Sequence, residues 1–338
     1  MKKKLRMIQV GVSHEHALGK FTTLKSMKNT FEVIGVVDDR EFALTPRFIG
    51  ADEFDSYKGE RFITLDQALN EEKPDGVLIE VPNLDLVPVA TMFAEKGIPM
   101  HMDKPGGEDL AAYKKLLDLC EEKHLPFQMG YMFRANPAIR FIIRGIRNGM
   151  LGSVFEIHAN MNHCYGGTEY NDHYLPSFKG GIMFNLGCHI IDYIVAMLGR
   201  PLHVHPFLKS AGPEDHSFNN CAAVLEYAHT NAIVTVCSRD CGRKRRLRIG
   251  GTKGTLEIFP VERFDGKEIE VELVLKEPYG EYKAGGHILK FGPVSDRYES
   301  QLQDFAAMIR GEKEDEYSRA HDYTSHEVIL AASGIIKI

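Results

Sequence analysis

Ile8-Gln9-Val10-Gly11-Val12-Ser13-His14-Glu15-His16 is an apolar run that ends in a glycine and a polar turn. Ile8 to Val12 reads as a strand. A helix entered directly from such a strand places the turn where a nucleotide-binding βαβ unit carries its G-x-G-x-x-G fingerprint. There the first glycine makes the turn, the second lets the backbone approach a pyrophosphate, and the third lets helix and strand pack closely. Here only the first glycine is present, with Ser13 and His16 in the places of the others. Position therefore says more than the motif, and the rest of the amino-terminal half supplies the context.

Short apolar runs alternate with helical spacing from Leu5 to about Phe127, as repeated strand-helix units do. Phe31 to Val37, Val77 to Val81, Met100-His101-Met102 and Phe127-Gln128-Met129 read as strands. Leu65 to Glu71, Leu86 to Glu95 and Leu110 to Lys123 read as helices. The strands are expected to be parallel, covered on both faces and joined by right-handed crossovers. Asp38-Asp39-Arg40 closes the second strand, where a carboxylate would accept hydrogen bonds from ribose hydroxyls. Asp38 and Asp39 would repel a 2'-phosphate, so the turn favours NAD over NADP, while Arg40 is the residue that speaks for NADP. His14 and His16 invite a metal reading, since imidazoles two apart can chelate, but no third ligand with a clear spacing accompanies them. No metal is expected. The two histidines are expected to line the phosphate or nicotinamide side of a cleft, with Glu15 on the cofactor side, or to cap the following helix.

Beyond Gly130 the pattern changes. A helix from about Pro137 to Asn148 is followed by strand-like runs at Val154 to Met161, Leu202 to Leu208, Ala222 to Ala228, Ala232 to Cys237, Leu247 to Ile249, Thr255 to Phe259 and Ile269 to Leu275. Turn signals such as His229-Thr230-Asn231 imply a largely antiparallel sheet, and helices around Tyr298 to Arg310 and Ser318 to Ala332 close the chain. The expected fold class is thus α/β: a Rossmann-like parallel domain over 1–128, then an α+β domain over 129–338 with a large, mostly antiparallel open sheet. The last helix is a candidate to pack back on the first domain. One face of an open sheet needs cover, so a homodimer or homotetramer through that sheet is expected.

The 338 residues exceed one ordinary core. A formal charge of −6 gives no broad basic surface for nucleic acid or an anionic membrane, and Arg243-Lys244-Arg245-Arg246 reads as a solvated strand end. No window approaches ~18 apolar residues, and the basic start lacks a cleavable apolar core, so a cytoplasmic location is expected. Six scattered cysteines read as thiols.

Two segments carry chemistry. Asp103-Lys104-Pro105 follows the fourth strand of the first domain, and ligands of open α/β sheets collect outside the carboxyl ends of strands, so Lys104 should point into a cleft. In the second domain, Gly180-Gly181-Ile182-Met183-Phe184-Asn185-Leu186-Gly187-Cys188-His189-Ile190-Ile191-Asp192 is apolar except for three polar groups at i, i+4 and i+7. A helix stacks Asn185, His189 and Asp192 on one face. A buried polar group left unpaired costs roughly 1–3 kcal/mol, so protein partners or a ligand must meet this stripe. The preceding stretch from His163 through Tyr165 to Tyr174 is rich in aromatics and hydrogen-bonding groups. Arg134 is a candidate for an acidic group on a substrate or for packing.

Val81-Pro82-Asn83, Asp103-Lys104-Pro105, Gly149-Met150-Leu151-Gly152, the Gly180 to Asp192 block and Gly250-Gly251-Thr252-Lys253-Gly254-Thr255-Leu256 resemble, in order and spacing, the Gfo/Idh/MocA oxidoreductases, NAD(P)-dependent dehydrogenases of sugars, inositols and related polyols. The resemblance covers nearly the whole chain. It implies that Lys104 contacts substrate and nicotinamide ribose, and that His189 gives or takes a proton. Pro82, Asn83 and Asp103 belong with Lys104 and the first turn on the cofactor side; His163, Tyr165, Asn185, Asp192 and Arg134 belong on the substrate side. Three departures stand out: the eroded glycine turn, Leu86 in place of a histidine, and Asn185 where the family often has aspartate. An amide stabilises an imidazolium less than a carboxylate does. The expected activity is hydride transfer between NAD and a sugar or polyol. Its rivals are a tightly held nucleotide used transiently in a hydrolase or lyase cycle, and a sugar-binding regulator without catalysis.

Overall fold

A computed structural model describes the chain except residues 1, 44–50, 165, 166, 168, 243, 244, 264 and 295. Two compact units are present: Met1–Met132 with Asp296–Tyr323, and Phe133–Ser295 with Thr324–Ile338. The chain thus passes from the first unit to the second near 132, four residues beyond the expected boundary, and returns for 296–323. Each unit is described by itself.

In the first unit six parallel strands, β1 (Leu5–Val10), β2 (Phe31–Val37), β3 (Phe62–Ile63), β4 (Gly76–Ile79), β5 (Met100–Met102) and β6 (Phe127–Met129), lie in the order β3-β2-β1-β4-β5-β6. This is the Rossmann order, whose switch point falls between β1 and β4, where the crossovers change direction and leave a crevice at the strands' carboxyl ends. All four residues of β4 and all three of β5 are buried, as parallel strands covered on both faces must be. Helix α1 (Ala17–Ser26) follows β1, and the returning helix Glu299–Ile309 packs Leu302, Phe305 and Ala306 onto Leu5, Met7, Phe31 and Leu78. Burying each such side chain contributes about 1.5–3 kcal/mol, which is why the chain comes back to cover this face.

Several elements differ from expectation. β1 stops at Val10 because Gly11 turns at φ +106°. A β-carbon on Gly11 would lie 2.4 Å from the carbonyl oxygen of Glu80, so this one glycine of the fingerprint is demanded by both backbone angle and space. α1 went unread in the sequence because its buried face includes Lys20 and Thr23 beside Phe21 and Leu24, which blurs the apolar spacing. β3, at two residues, is too short for a periodic signal.

The second unit holds an eight-stranded sheet in the order β14-β13-β12-β11-β7-β10-β9-β8, from β7 (Val154–Asn160), β8 (His203–Lys209), β9 (Asn220–Glu226), β10 (Asn231–Cys237), β11 (Arg246–Gly251), β12 (Gly254–Ile258), β13 (Glu270–Leu275) and β14 (Gly285–Lys290). It is antiparallel except where β7 meets β10. Alternation puts Ala232, Val234 and Val236 of β10 and Val271, Leu273 and Leu275 of β13 inside. β14 escaped the sequence reading because its glycines and exposed residues give little apolar alternation. The glycine-rich block is also not one uniform α-helix: Met183–Gly187 is a π-helical turn, and the α-helix proper runs Cys188–Leu198. No described helix is long and apolar enough to cross a membrane.

Candidate active site

Within the first unit the polar side chains gather at the carboxyl ends of β1, β4 and β5. The turn after β1 is closed by an internal carboxylate. Asp39, fully buried, accepts from the amides of Val12 (2.7 Å) and Ser13 (3.1 Å) and from the Ser13 hydroxyl. Asp38, the residue expected to face a ribose, turns outward instead. It accepts from the Arg40 guanidinium at 2.6, 2.9 and 3.2 Å, and this pairing holds its carboxyl below the usual range. The two neighbouring aspartates thus take opposite roles, because consecutive residues leaving a strand point to opposite sides.

His14 extends Nε2 to Asn83 Oδ1 (2.8 Å) and Nδ1 toward Asp103 Oδ2 (3.1 Å). His16 meets the same carboxylate oxygen through Nδ1 at 2.9 Å. Lys20, one helical turn past His16, reaches Glu80 Oε1 (2.8 Å) and Asp103 Oδ2 (3.1 Å), and Lys20, Glu80 and Asp103 are all fully buried. Asp103 Oδ1 accepts from the Lys104 amide at 2.7 Å. Lys104 is buried, with Nζ 3.3 Å from Glu15 Oε1. Pro82 is buried and its carbonyl accepts from the Asp85 amide at 2.8 Å, turning the chain so that Asn83 meets His14. Space for the ion pairs comes from Gly130 after β6, where a β-carbon would stand 2.8 Å from Lys20 Nζ and 3.0 Å from Asp103 Oδ1.

Burial sets the protonation of this cluster. It pushes Glu80 well above the usual carboxylate range, against the Lys20 ammonium and with the repulsion of Asp103. Burial would raise Asp103 too, but Lys20, His14 and His16 outweigh it and hold Asp103 well below its usual range. Asp103 therefore carries the negative charge and Glu80 keeps the proton. Burial lowers His16 to about 4 despite Asp103, so its imidazole is neutral at pH 7.

Within the second unit Asn185, His189 and Asp192 are all buried among protein groups. The Asn185 amide donates to the Tyr170 hydroxyl at 2.6 Å. Asp192 takes the Arg134 guanidinium in a fork, with Nε–Oδ2 at 2.9 Å and Nη2–Oδ1 at 2.7 Å. These two residues, both offered to a substrate by the sequence, hold each other. His189 sits edge-on to Phe133, ring centroids 6.0 Å apart. His163, at the end of β7, is tied through its amide to the Cys237 carbonyl at 2.7 Å. Tyr165 lies outside the described residues.

Lys20 and Glu80 were missed by sequence reasoning, and Tyr170 was read only as part of the stretch before the glycine pair. Glu80 had a signal, a carboxylate continuing an otherwise apolar buried strand; Lys20 had none, since a lysine on a first helix reads as surface.

Comparison with known proteins gives two family matches: residues 9–131 fit the oxidoreductase family with an NAD-binding Rossmann fold, and residues 139–257 fit the GFO/IDH/MocA C-terminal domain. Together they cover well over half of the chain. An uncharacterized oxidoreductase of Schizosaccharomyces pombe is 26% identical over 249 residues, 71% of this chain and 66% of that protein. D-xylose 1-dehydrogenase (NADP(+)) 2 of Haloferax volcanii is 22% identical over 71% of each chain. Among solved structures, an oxidoreductase from Agrobacterium radiobacter in complex with NAD+, L-tartaric acid and magnesium superposes with a TM-score of 0.78 at 17% identity, covering 99% of this chain and 98% of its own.

Proposed function

This chain belongs to the Gfo/Idh/MocA oxidoreductases, and from that premise we propose that it moves a hydride between NAD and a hydroxyl or ketone carbon of a sugar, inositol or related polyol. Lys104 carries the reading: a fully buried lysine directly after β5, at the strand end where this fold binds its ligands. The residues present fit a dinucleotide. Gly11 turns the chain at φ +106° at the carboxyl end of β1, with no side chain where a pyrophosphate would approach, and Asp39 holds that turn by accepting from the Val12 and Ser13 amides. Asp38 supports NAD over NADP, because it already neutralises Arg40, the cation a 2'-phosphate would need.

A bound nicotinamide supplies the hydride acceptor or donor. The proteinaceous roles are then three. His189 takes or gives the hydroxyl proton, the task for which an imidazole is the commonest side chain. Lys104 places positive charge beside the developing alkoxide. Asn185, held by Tyr170, stands on the substrate side four residues before His189, and the Arg134–Asp192 fork fixes the helix that carries His189. The sugar class is supported by the dehydrogenase named above and by D-apiose dehydrogenase of Paraburkholderia graminis, 25% identical over 201 residues.

The test is titration with NAD and NADP, followed by a polyol panel watched for reduced nicotinamide. No binding of either nucleotide at millimolar concentration would remove the reading. A nucleotide retained through purification without net reduction would favour an internal redox cycle instead. With a substrate in hand, Lys104→Ala and His189→Ala should each lower kcat by about 10²–10⁴; near-normal turnover in either removes that residue's role. Self-association through the sheet is supported by exposed Phe155, Phe207, Val274 and Ile288 in β7, β8, β13 and β14. A monomeric mass by light scattering would refute it.

A further inference from the structure

We propose that His14, His16 and Asp103 form a site for a divalent first-row metal ion of the zinc class, independent of the nucleotide reading. The sequence lacked a third ligand beside the two histidines; the fold brings one from the end of β5. Donor atoms of the three residues lie within 4.8 Å of one another. The two imidazole Nδ1 atoms are 3.1 and 2.9 Å from one carboxylate oxygen, Asp103 Oδ2. Metal–ligand bonds of about 2.1 Å in a tetrahedron put donors about 3.4 Å apart, so each imidazole–carboxylate pair needs a few tenths of an ångström of opening.

The outer contacts suit ligation. His14 directs Nε2 to the Asn83 amide oxygen, which accepts, so Nε2 carries the hydrogen and Nδ1 presents its lone pair. The His16 amide confirms that polarity by donating to the same Nδ1 over a long 3.2 Å. At 3.1 Å, Nδ1 and the carboxylate oxygen need a shared proton or a metal ion between them. Asp103 is itself oriented, its other oxygen held by the Lys104 amide. Glu80 Oε2 is buried 3.8 Å from His14 Nδ1; on losing its proton it is placed to become a fourth ligand. Lys20 is the competitor, 3.1 Å from Asp103 Oδ2, and release of the Glu80 proton on metal binding gives it a second carboxylate to pair with. Two imidazoles favour zinc-like ions over magnesium or calcium, which prefer oxygen.

Untagged full-length protein, stripped with chelator, is titrated with Zn²⁺ and with Co²⁺. The expected result is about one equivalent bound, a rise in Tm, and visible Co²⁺ absorption with nitrogen and oxygen ligands. His14→Ala and His16→Ala should each abolish both signals. His16, at the start of α1 and partly exposed, serves as the variant that folds if His14→Ala does not. The exposed pair His203 and His205 on β8 is the control; changing both to alanine should leave binding intact. The proposal is overturned if tenfold excess metal gives no Tm rise and no absorption, if stoichiometric binding survives His16→Ala, or if it is lost with His203 and His205. Nucleotide titration of the stripped protein tests the dinucleotide separately, so either reading can fail with the other standing.

Discussion

Lys20→Met removes the ammonium that pairs with Glu80 and Asp103 in the first unit. Its Nζ lies 2.8 Å from Glu80 Oε1 and 3.1 Å from Asp103 Oδ2, with no solvent exposure on any of the three. At an effective dielectric of about 20, a unit charge pair at these distances is worth about 5–6 kcal/mol. The net loss is smaller, because Glu80 already holds a proton and because burying the ammonium had its own desolvation cost. Breaking a buried pair from one side typically costs about 3–5 kcal/mol, since the remaining charge is left uncompensated. For a unit of this size each kcal/mol moves Tm by about 2–4 °C, so the first unit's transition should fall by roughly 6–20 °C. Calorimetry on chelator-treated protein reads that transition. Removing the opposite charge as well, in Lys20→Met with Asp103→Asn, should recover much of the loss, since a pair replaced on both sides leaves no orphaned charge. A single variant that loses under about 1 kcal/mol, or a double variant in which the two losses add, would refute the coupling and with it the account of how Asp103 stays ionised.

Gly11→Ala introduces a β-carbon 2.4 Å from Glu80 O and 2.7 Å from the Val81 nitrogen at φ +106°. These are backbone atoms that cannot rotate away, so a loss of about 3 kcal/mol or more is expected, with nucleotide binding lost too; an unchanged melting curve would show that the turn readjusts. His16 titrates at about 4 in the folded chain, against about 6.5 unfolded, because burial disfavours its charged form. A lowered folded value means that the unfolded chain binds the extra proton first. The stability His16 contributes is therefore full above about pH 6.5 and lost as pH falls toward 4, by up to about 1.4 kcal/mol per pH unit. Urea midpoints for His16→Gln should decline less between pH 7 and 5 than those of the parent, and parallel declines would sink the assignment.

The alternation of apolar runs with helical spacing is local and needs no partner, and it was sufficient to place five of the six parallel strands and the helices Leu65–Asn70, Leu86–Glu95 and Leu110–Glu122 to within a few residues. Asp103-Lys104-Pro105 and the Gly180 to Asp192 block were legible for the same reason: polar groups stand out where an apolar run should continue. What the sequence could not contain is pairing at a distance. Asp39 rather than Asp38 closes the turn because only the folded backbone decides which side of a strand end faces it. His14, His16, Lys20, Glu80 and Asp103 become one cluster because the order β1, β4, β5 brings three strand ends together. Arg134 and Asp192 are spent on each other because a helix entry and a helix face meet within the second unit. Local periodicity fixes elements, since it depends on neighbours in the chain. Charge state and partnership depend on burial and on residues tens of positions away, and those exist only once the sheet has formed.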